Sequence, residues 1–114
     1  MKALLNGFET NEATFRTAAD LQSGRAVALQ STGKIYYAEE KGPFTGIITS
    51  SRDGVASVVM HGYAVASFKD TIPSVGICKL SVGSTGHLEV DEENGKPYTV
   101  VGVDLNAKTV EIIL

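Results

Sequence analysis

The tripeptide Ser-Thr-Gly occurs twice, at residues 31–33 and 84–86, each time between two short apolar segments. A glycine closing such a tripeptide supplies the positive φ of a tight turn, so each copy marks a hairpin tip. The likeness extends outward. "GRAVALQSTGKIYYA" (24–38) can be set above "GICKLSVGSTGHLEV" (76–90), with one extra residue before the second tripeptide. Further on, Phe44-Thr45-Gly46-Ile47 aligns with Val100-Val101-Gly102-Val103, and "VASVVM" (55–60) with "TVEIIL" (109–114). One such half alone would expose a bare hydrophobic face and an open sheet edge. The two halves are therefore expected to share a core. This predicts an all-β fold, a small barrel or sandwich built from two pseudo-repeated halves about an internal pseudo-twofold. The segment 62–75 is expected to join them.

The remaining pattern is consistent with strands throughout residues 24–114. "RAVALQ", "KIYYAE", "FTGIITS", "VASVVMHGYAVASF", "GICKLSV", "HLEV", "YTVVGVDL" and "TVEIIL" are short and rich in Val, Ile and aromatics. Ser-Thr-Gly, Lys-Gly-Pro, Arg-Asp-Gly, Glu-Asn-Gly-Lys-Pro and Asn-Ala-Lys punctuate them with turn chemistry. Gly46 and Gly102 fall inside strands, where a glycine marks a bulge or a close backbone approach. Residues 11–21 offer Asn11 as a helix N-cap, but Ala13, Phe15 and Leu21 make no helical stripe. Residues 1–20 are accordingly read as an extended N-terminal arm carrying Leu4, Leu5, Phe8 and Phe15, and residues 21–114 as a single β domain. These four side chains either close one end of the barrel or contact a partner.

Composition narrows the function. The chain has 114 residues, enough for one domain with its own core. Its net charge is −3 and its Lys and Arg are scattered, so no electrostatic footprint for nucleic acid is present. Cys78 is the single cysteine, which excludes a disulfide within the chain or a multi-thiolate zinc site. No apolar run approaches the roughly 18 residues of a spanning helix, and the one at the N-terminus stops at Leu5, short of the roughly 7–15 residues of a signal-peptide core. No membrane partner is expected.

Catalytic chemistry has few candidates. His61 and His87 are the two histidines, and neither has a clustered carboxylate or thiol in sequence. Asp91, Glu92 and Glu93 sit together before Asn94-Gly95-Lys96-Pro97, a pattern of a solvated turn that lacks the alternating oxygens of a calcium loop. Gly83-Ser84 offers the bond at which small self-processing β-barrel enzymes cleave themselves, but a turn accounts for both Ser-Thr-Gly copies. No phosphate loop or nucleophile elbow is present. The expectation is a protein without enzymatic activity, metal or cofactor.

The order "ADLQSGRAVAL…STGKIYYA…GPFTGIITS…DGVASVVMHGYAVA…TIPSVGICKLSVGSTGHLEV…GKPYTVVGVDL…KTVEIIL", over residues 18–114, resembles the small capsid decoration proteins of tailed bacteriophages, the cement or head-stabilising proteins with a β-tulip-like domain. Gly24, Gly33, Gly46, Gly54, Gly62, Gly76, Gly86 and Gly102 fall in that rhythm. The resemblance implies a virion protein, assembled in the host cytoplasm, that binds the major capsid protein on the outside of the expanded head. It implies a homotrimer that bridges capsid subunits, with Leu4, Leu5, Phe8 and Phe15 of the arm as capsid contacts. The alternatives are a tail, baseplate or fibre-base adaptor, the self-processing enzyme, and a β-clip-like sugar-binding module. The last lacks Trp and has only four Tyr to stack on a sugar.

Overall fold

The computed structural model describes residues 11–114. They form ten strands: β1 (Asn11–Thr17), β2 (Ala26–Leu29), β3 (Lys34–Tyr37), β4 (Gly46–Arg52), β5 (Val55–His61), β6 (Tyr63–Ser67), β7 (Gly76–Val82), β8 (Leu88–Val90), β9 (Lys96–Asp104) and β10 (Thr109–Ile113). A single 3-10 turn over Ser84–Gly86 joins β7 to β8.

The first five strands close into a barrel in the order β1-β3-β2-β4-β5. β1 closes it, antiparallel to β5 from Asn11↔His61 to Arg16↔Val55 and parallel to β3 at Arg16↔Lys34 and Thr17↔Ile35. The other five form a sheet in the order β6-β10-β9-β7-β8. Its outer strands meet at one parallel bridge, Phe68↔Leu88. Traced from β3 and from β8, the two orders are the same: β3-β2-β4-β5-β1 and β8-β7-β9-β10-β6. The duplication is therefore a five-strand unit used twice.

Two expectations change here. The segment 62–75 is more than a connection, because it opens with β6. The arm expected over residues 1–20 is, from Asn11 to Thr17, a paired strand of the barrel, so the domain includes residues that were assigned outside it. β1 and β6 are counterparts. The Thr17 N–H donates to the Gly54 carbonyl at 2.9 Å, and the Phe68 N–H to the Lys108 carbonyl at 3.0 Å. β6 falls within the strand-like stretch 55–68, whereas β1 has no apolar alternation to mark it. Asn11, Glu12, Thr14 and Arg16 are exposed, and β1 holds its place by backbone pairing more than by burial.

The register also differs from the sequence alignment. Thr49 bulges between the pairs Ile48↔Val58 and Ser50↔Ser57, and Val101 bulges between Val100↔Ile112 and Gly102↔Glu111. Ile48 is thus the counterpart of Val100, and both face an interior. Gly102 answers Ser50, and Gly46 answers Tyr98. The Gly46–Gly102 match in sequence is a coincidence of spacing. Both glycines nonetheless serve as expected, Gly46 at a close approach to β5 and Gly102 beside the bulge.

The barrel interior is filled by Leu21, Val27, Ile35, Ile48, Ala56 and Val58. Their neighbours Ala26, Ile47 and Val59 point the other way, into a larger cluster with β6–β10 residues such as Leu80, Leu88, Val100 and Ile112. β2, β4 and β5 are therefore apolar on both faces. One face fills the barrel and the other is covered by the second half.

The halves do not face each other about a twofold. The Ser67 N–H donates to the Gly24 carbonyl at 2.7 Å. A twofold would demand the reciprocal contact between Arg16 and the Val75–Gly76 segment. Arg16 and Gly76 are instead exposed, and a Cβ built at Gly76 would find no described atom within 4 Å beyond its chain neighbours. The arrangement is head-to-tail.

Candidate functional site

The residues singled out for chemistry are placed as structural elements. Ser84 lies in the 3-10 turn, where Lys69 Nζ donates to its Oγ at 3.0 Å. The Gly83 N–H donates to the His87 carbonyl at 2.6 Å, and His87 Nδ1 lies 2.9 Å from the Ser84 carbonyl oxygen. These are contacts of a hairpin tip. His61 is exposed at the end of β5, in the other sheet from His87. Among the described residues, no three His, Cys, Asp or Glu are grouped to hold a metal ion.

The acidic turn is organised around one of its three carboxylates. Asp91 Oδ1 accepts from the Asn94 N–H at 2.9 Å and from the Glu93 N–H at 3.2 Å. Its Oδ2 accepts from Lys41 Nζ and Ser81 Oγ, each at 3.0 Å. The Asn94 amide, then the Lys41 ammonium, hold the carboxyl down at about 2, while the same pairing raises Lys41. Glu92 and Glu93 remain exposed. Asp91 is a turn brace that ties β7, the β8–β9 turn and the loop after β3 together.

Phe15 packs on the barrel cluster from β1 and is half-buried, so this side chain is already used within the fold. Leu4, Leu5 and Phe8 lie outside the described residues.

Two exposed apolar surfaces were not anticipated. The first is a groove of about 630 Å³ lined by Phe68, Lys69, Asp70, Ile72, His87, Leu105 and Lys108. Ile72 and Leu105 are 56% and 60% exposed at its rim. The second is a cross-strand row on the outer face of the second sheet. It runs Ile77↔Thr99 from β7 to β9, Thr99↔Ile113 to β10, and Ile113↔Tyr63 to β6. Ile77 is 71% exposed, and Val75 beside it 68%. Burial, then a hydrogen bond donated to Glu111 Oε1, push the Tyr63 phenol up to about 12. Exposed apolar surface of this kind marks contact with another macromolecule more often than catalysis. The signal was present in Ile72, Val75 and Ile77, but reading 62–75 as a connection and 76–82 as an ordinary strand hid it.

No protein-family model matches the chain, and no curated protein matches it. A solved structure does: the N base of head fiber gp8.5 in bacteriophage phi29, with a TM-score of 0.69 at 17% identity, covering 93% of this chain and 94% of that one. The two share a fold over nearly their whole length.

Proposed function

We propose that this chain is a non-enzymatic structural protein of a tailed-phage virion, a decoration protein that binds the outer surface of the expanded head. The observation that carries the reading is the shared fold with a phage head-fibre base over 93% of the chain. The arrangement of its surfaces agrees with a mechanical role. Its exposed apolar residues lie on an open sheet face and at the rim of a groove, surfaces that suit contact with another protein, and its ordered carboxylate, Asp91, braces a turn. The major capsid protein is the proposed partner. Bridging neighbouring capsid subunits as a homotrimer adds many modest contacts into a stable lattice. Leu4, Leu5 and Phe8 are the proposed capsid contacts, an extended segment being suited to adding a strand to an exposed capsid edge.

A second reading, a base that seats a fibre on the head, is favoured by the description of the same structural neighbour. Co-sedimentation with immature and expanded heads of the parent phage tests both. Saturable binding to expanded heads alone is the expected result, and absence of binding to either form overturns the reading. Imaging of decorated heads separates the alternatives: density on the bare lattice supports decoration, and density only beneath fibres supports a fibre base.

A further inference from the structure

The outer face of the second sheet is bare where its counterpart is covered. In the first half the equivalent row, Ala26↔Ile47 and Ile47↔Val59, is buried beneath the inner face of the second sheet, against residues such as Leu88, Val100 and Ile112. The row from Ile77 through Thr99 and Ile113 to Tyr63 has no such cover among the described residues. Val75 and Ile77 are its most exposed apolar members, and Val65, two residues along β6 from Tyr63 and so on the same face, is exposed as well.

The described residues begin beside this face. Asn11 pairs with His61 at the end of β5, and two residues later Tyr63 opens both β6 and the row. Leu114 closes the same corner: its N–H donates to the Gly62 carbonyl at 2.8 Å, next to the pair Ile113↔Tyr63. β1 is antiparallel to β5, so the chain traced back past Asn11 heads the way β5 heads as it passes into β6. The other exposed apolar residues lie farther off. Val55 pairs with Arg16, while Leu29 pairs with Ile35 and Tyr36 follows it, beside Thr17; all three are at the opposite end of β1. Ile72 and Leu105 belong to the groove around Phe68, past the far end of β6.

The length of chain ahead of Asn11 fits the row. Tyr63 lies about 7 Å beyond His61, and the crossing from β6 to β7 adds about 15 Å. Residues 1–10, "MKALLNGFET", carry Leu4, Leu5 and Phe8 with one side-chain charge of each sign, Lys2 and Glu9. At about 3.4 Å per extended residue, Phe8 reaches about 10 Å from Asn11, level with Tyr63 and Ile113, and Leu5 and Leu4 reach about 20–24 Å, level with Ile77 and Val75. We propose that residues 1–10 of this chain fold back over the outer face of its own second sheet, with Phe8 against Tyr63 and Ile113 and with Leu4 and Leu5 against Val75 and Ile77. The inference concerns the chain off the head and does not rest on the capsid reading. Where both hold, the three side chains pass from the row to the capsid on binding, and the row is bared only then. A docked terminal segment opens locally before the domain melts, so the contact is read residue by residue and not from the melting temperature.

The test is nuclear magnetic resonance of the full chain in solution, without capsid, with methyl and aromatic groups labelled. Nuclear Overhauser contacts are expected from the Phe8 ring to Ile113 and from the Leu4 or Leu5 methyls to Ile77 or Val75. Ile77→Glu alters an exposed position, and it is expected to abolish the leucine contacts and move the amide shifts of residues 1–8 to random-coil values. Thr99→Glu, also exposed and in the same row, replaces it if that variant is not folded. The double variant Leu5→Glu, Phe8→Glu is expected to shift the methyls of Ile77 and Ile113 and to leave those of the buried Ile47 and Ile48 in place. A wild-type chain with random-coil shifts over residues 1–8 and no contact to the row overturns the proposal. So do contacts that, in an equal mixture of labelled and unlabelled chains, arise only between chains, which would give the row to a neighbouring copy's segment. Head binding separates the two readings. Heads that bind a chain whose first ten residues never touch the row overturn this inference alone, and a docked segment in a chain that no head binds overturns the capsid reading alone.

Discussion

Gly46 lies against the carbonyl oxygen of Val59 with no room for a side chain between them. A Cβ at Gly46 would collide with that oxygen and come within 2.6 Å of Val58 Cγ1. The close approach lets β4 sit flat on β5, with Ile47 opposite Val59 and Ile48 opposite Val58. The first pair enters the core shared with the second half, and the second pair enters the barrel core. Gly46→Val is expected to lower stability by about 1–3 kcal/mol, the usual cost of overpacking a tight site. Thermal or denaturant unfolding measures it. An unchanged midpoint would show that β4 can retreat from β5 without loss.

Much of this architecture was legible in the sequence, for reasons that explain the rest. Turn chemistry is local, and the paired Ser-Thr-Gly tips and the strands flanking them stand where the residues placed them. Burial by alternation also carried through: Ala56 and Val58 answer Val110 and Ile112, all interior. Two kinds of information were missing. β1 and β6 are held by partners distant in sequence, and an exposed strand such as Asn11–Thr17 has no apolar pattern to announce it. Bulges are equally silent. Thr49 and Val101 bulge at equivalent places in the two halves, and an alignment on Gly46 and Gly102 sets the strands four residues out of register. The candidate surface suffered most, because Val75 and Ile77 gain meaning only when their row is compared with the buried row of the other half.

The two Ser-Thr-Gly turns separate conformational from steric cost. Gly33 and Gly86 have φ of 83° and 76°, a region that side chains rarely adopt. Gly33 is exposed, whereas Gly86 is wedged against Ala26 and Arg25 at the joint between the halves. Gly33→Ala is expected to cost about 1 kcal/mol from backbone strain alone. Gly86→Ala bears the same strain and also a clash, and is expected to cost about 2–4 kcal/mol. Equal losses in paired denaturation curves would mean that the joint at Gly86 is loose.

Truncation distinguishes the barrel strand from what precedes it. Removing residues 1–10 leaves every described pairing of β1 in place, and the melting temperature is expected to stay near that of the full chain. Removing residues 1–17 strips β5 of one of its two partners and reopens the barrel along β3, leaving the core over Leu21, Ile35 and Val58 uncovered. That shorter chain is expected to lose cooperative unfolding. A folded, cooperative product lacking residues 1–17 would show that β1 is an accessory to the barrel.

Acid should act on the fold through Asp91. Its carboxyl titrates at about 2 in the folded chain, held there first by the Asn94 amide and then by Lys41 and Ser81. An unfolded Asp titrates near 3.9, approximately. Because the folded value is the lower one, the unfolded chain binds this proton first as pH falls. The stabilisation is complete above the unfolded value and drains away between about pH 4 and pH 2. Asp91→Asn removes the titrating group. The variant is expected to be less stable than the wild type at pH 7 and to show a shallower loss of stability across that acid window. Lys41→Met, which removes one donor and leaves the amides, is expected to lie between the two. Denaturant midpoints at pH 7, 4, 3 and 2 provide the comparison. Parallel curves for wild type and Asp91→Asn would mean that the turn forms without its carboxylate and that other acids govern unfolding below pH 4.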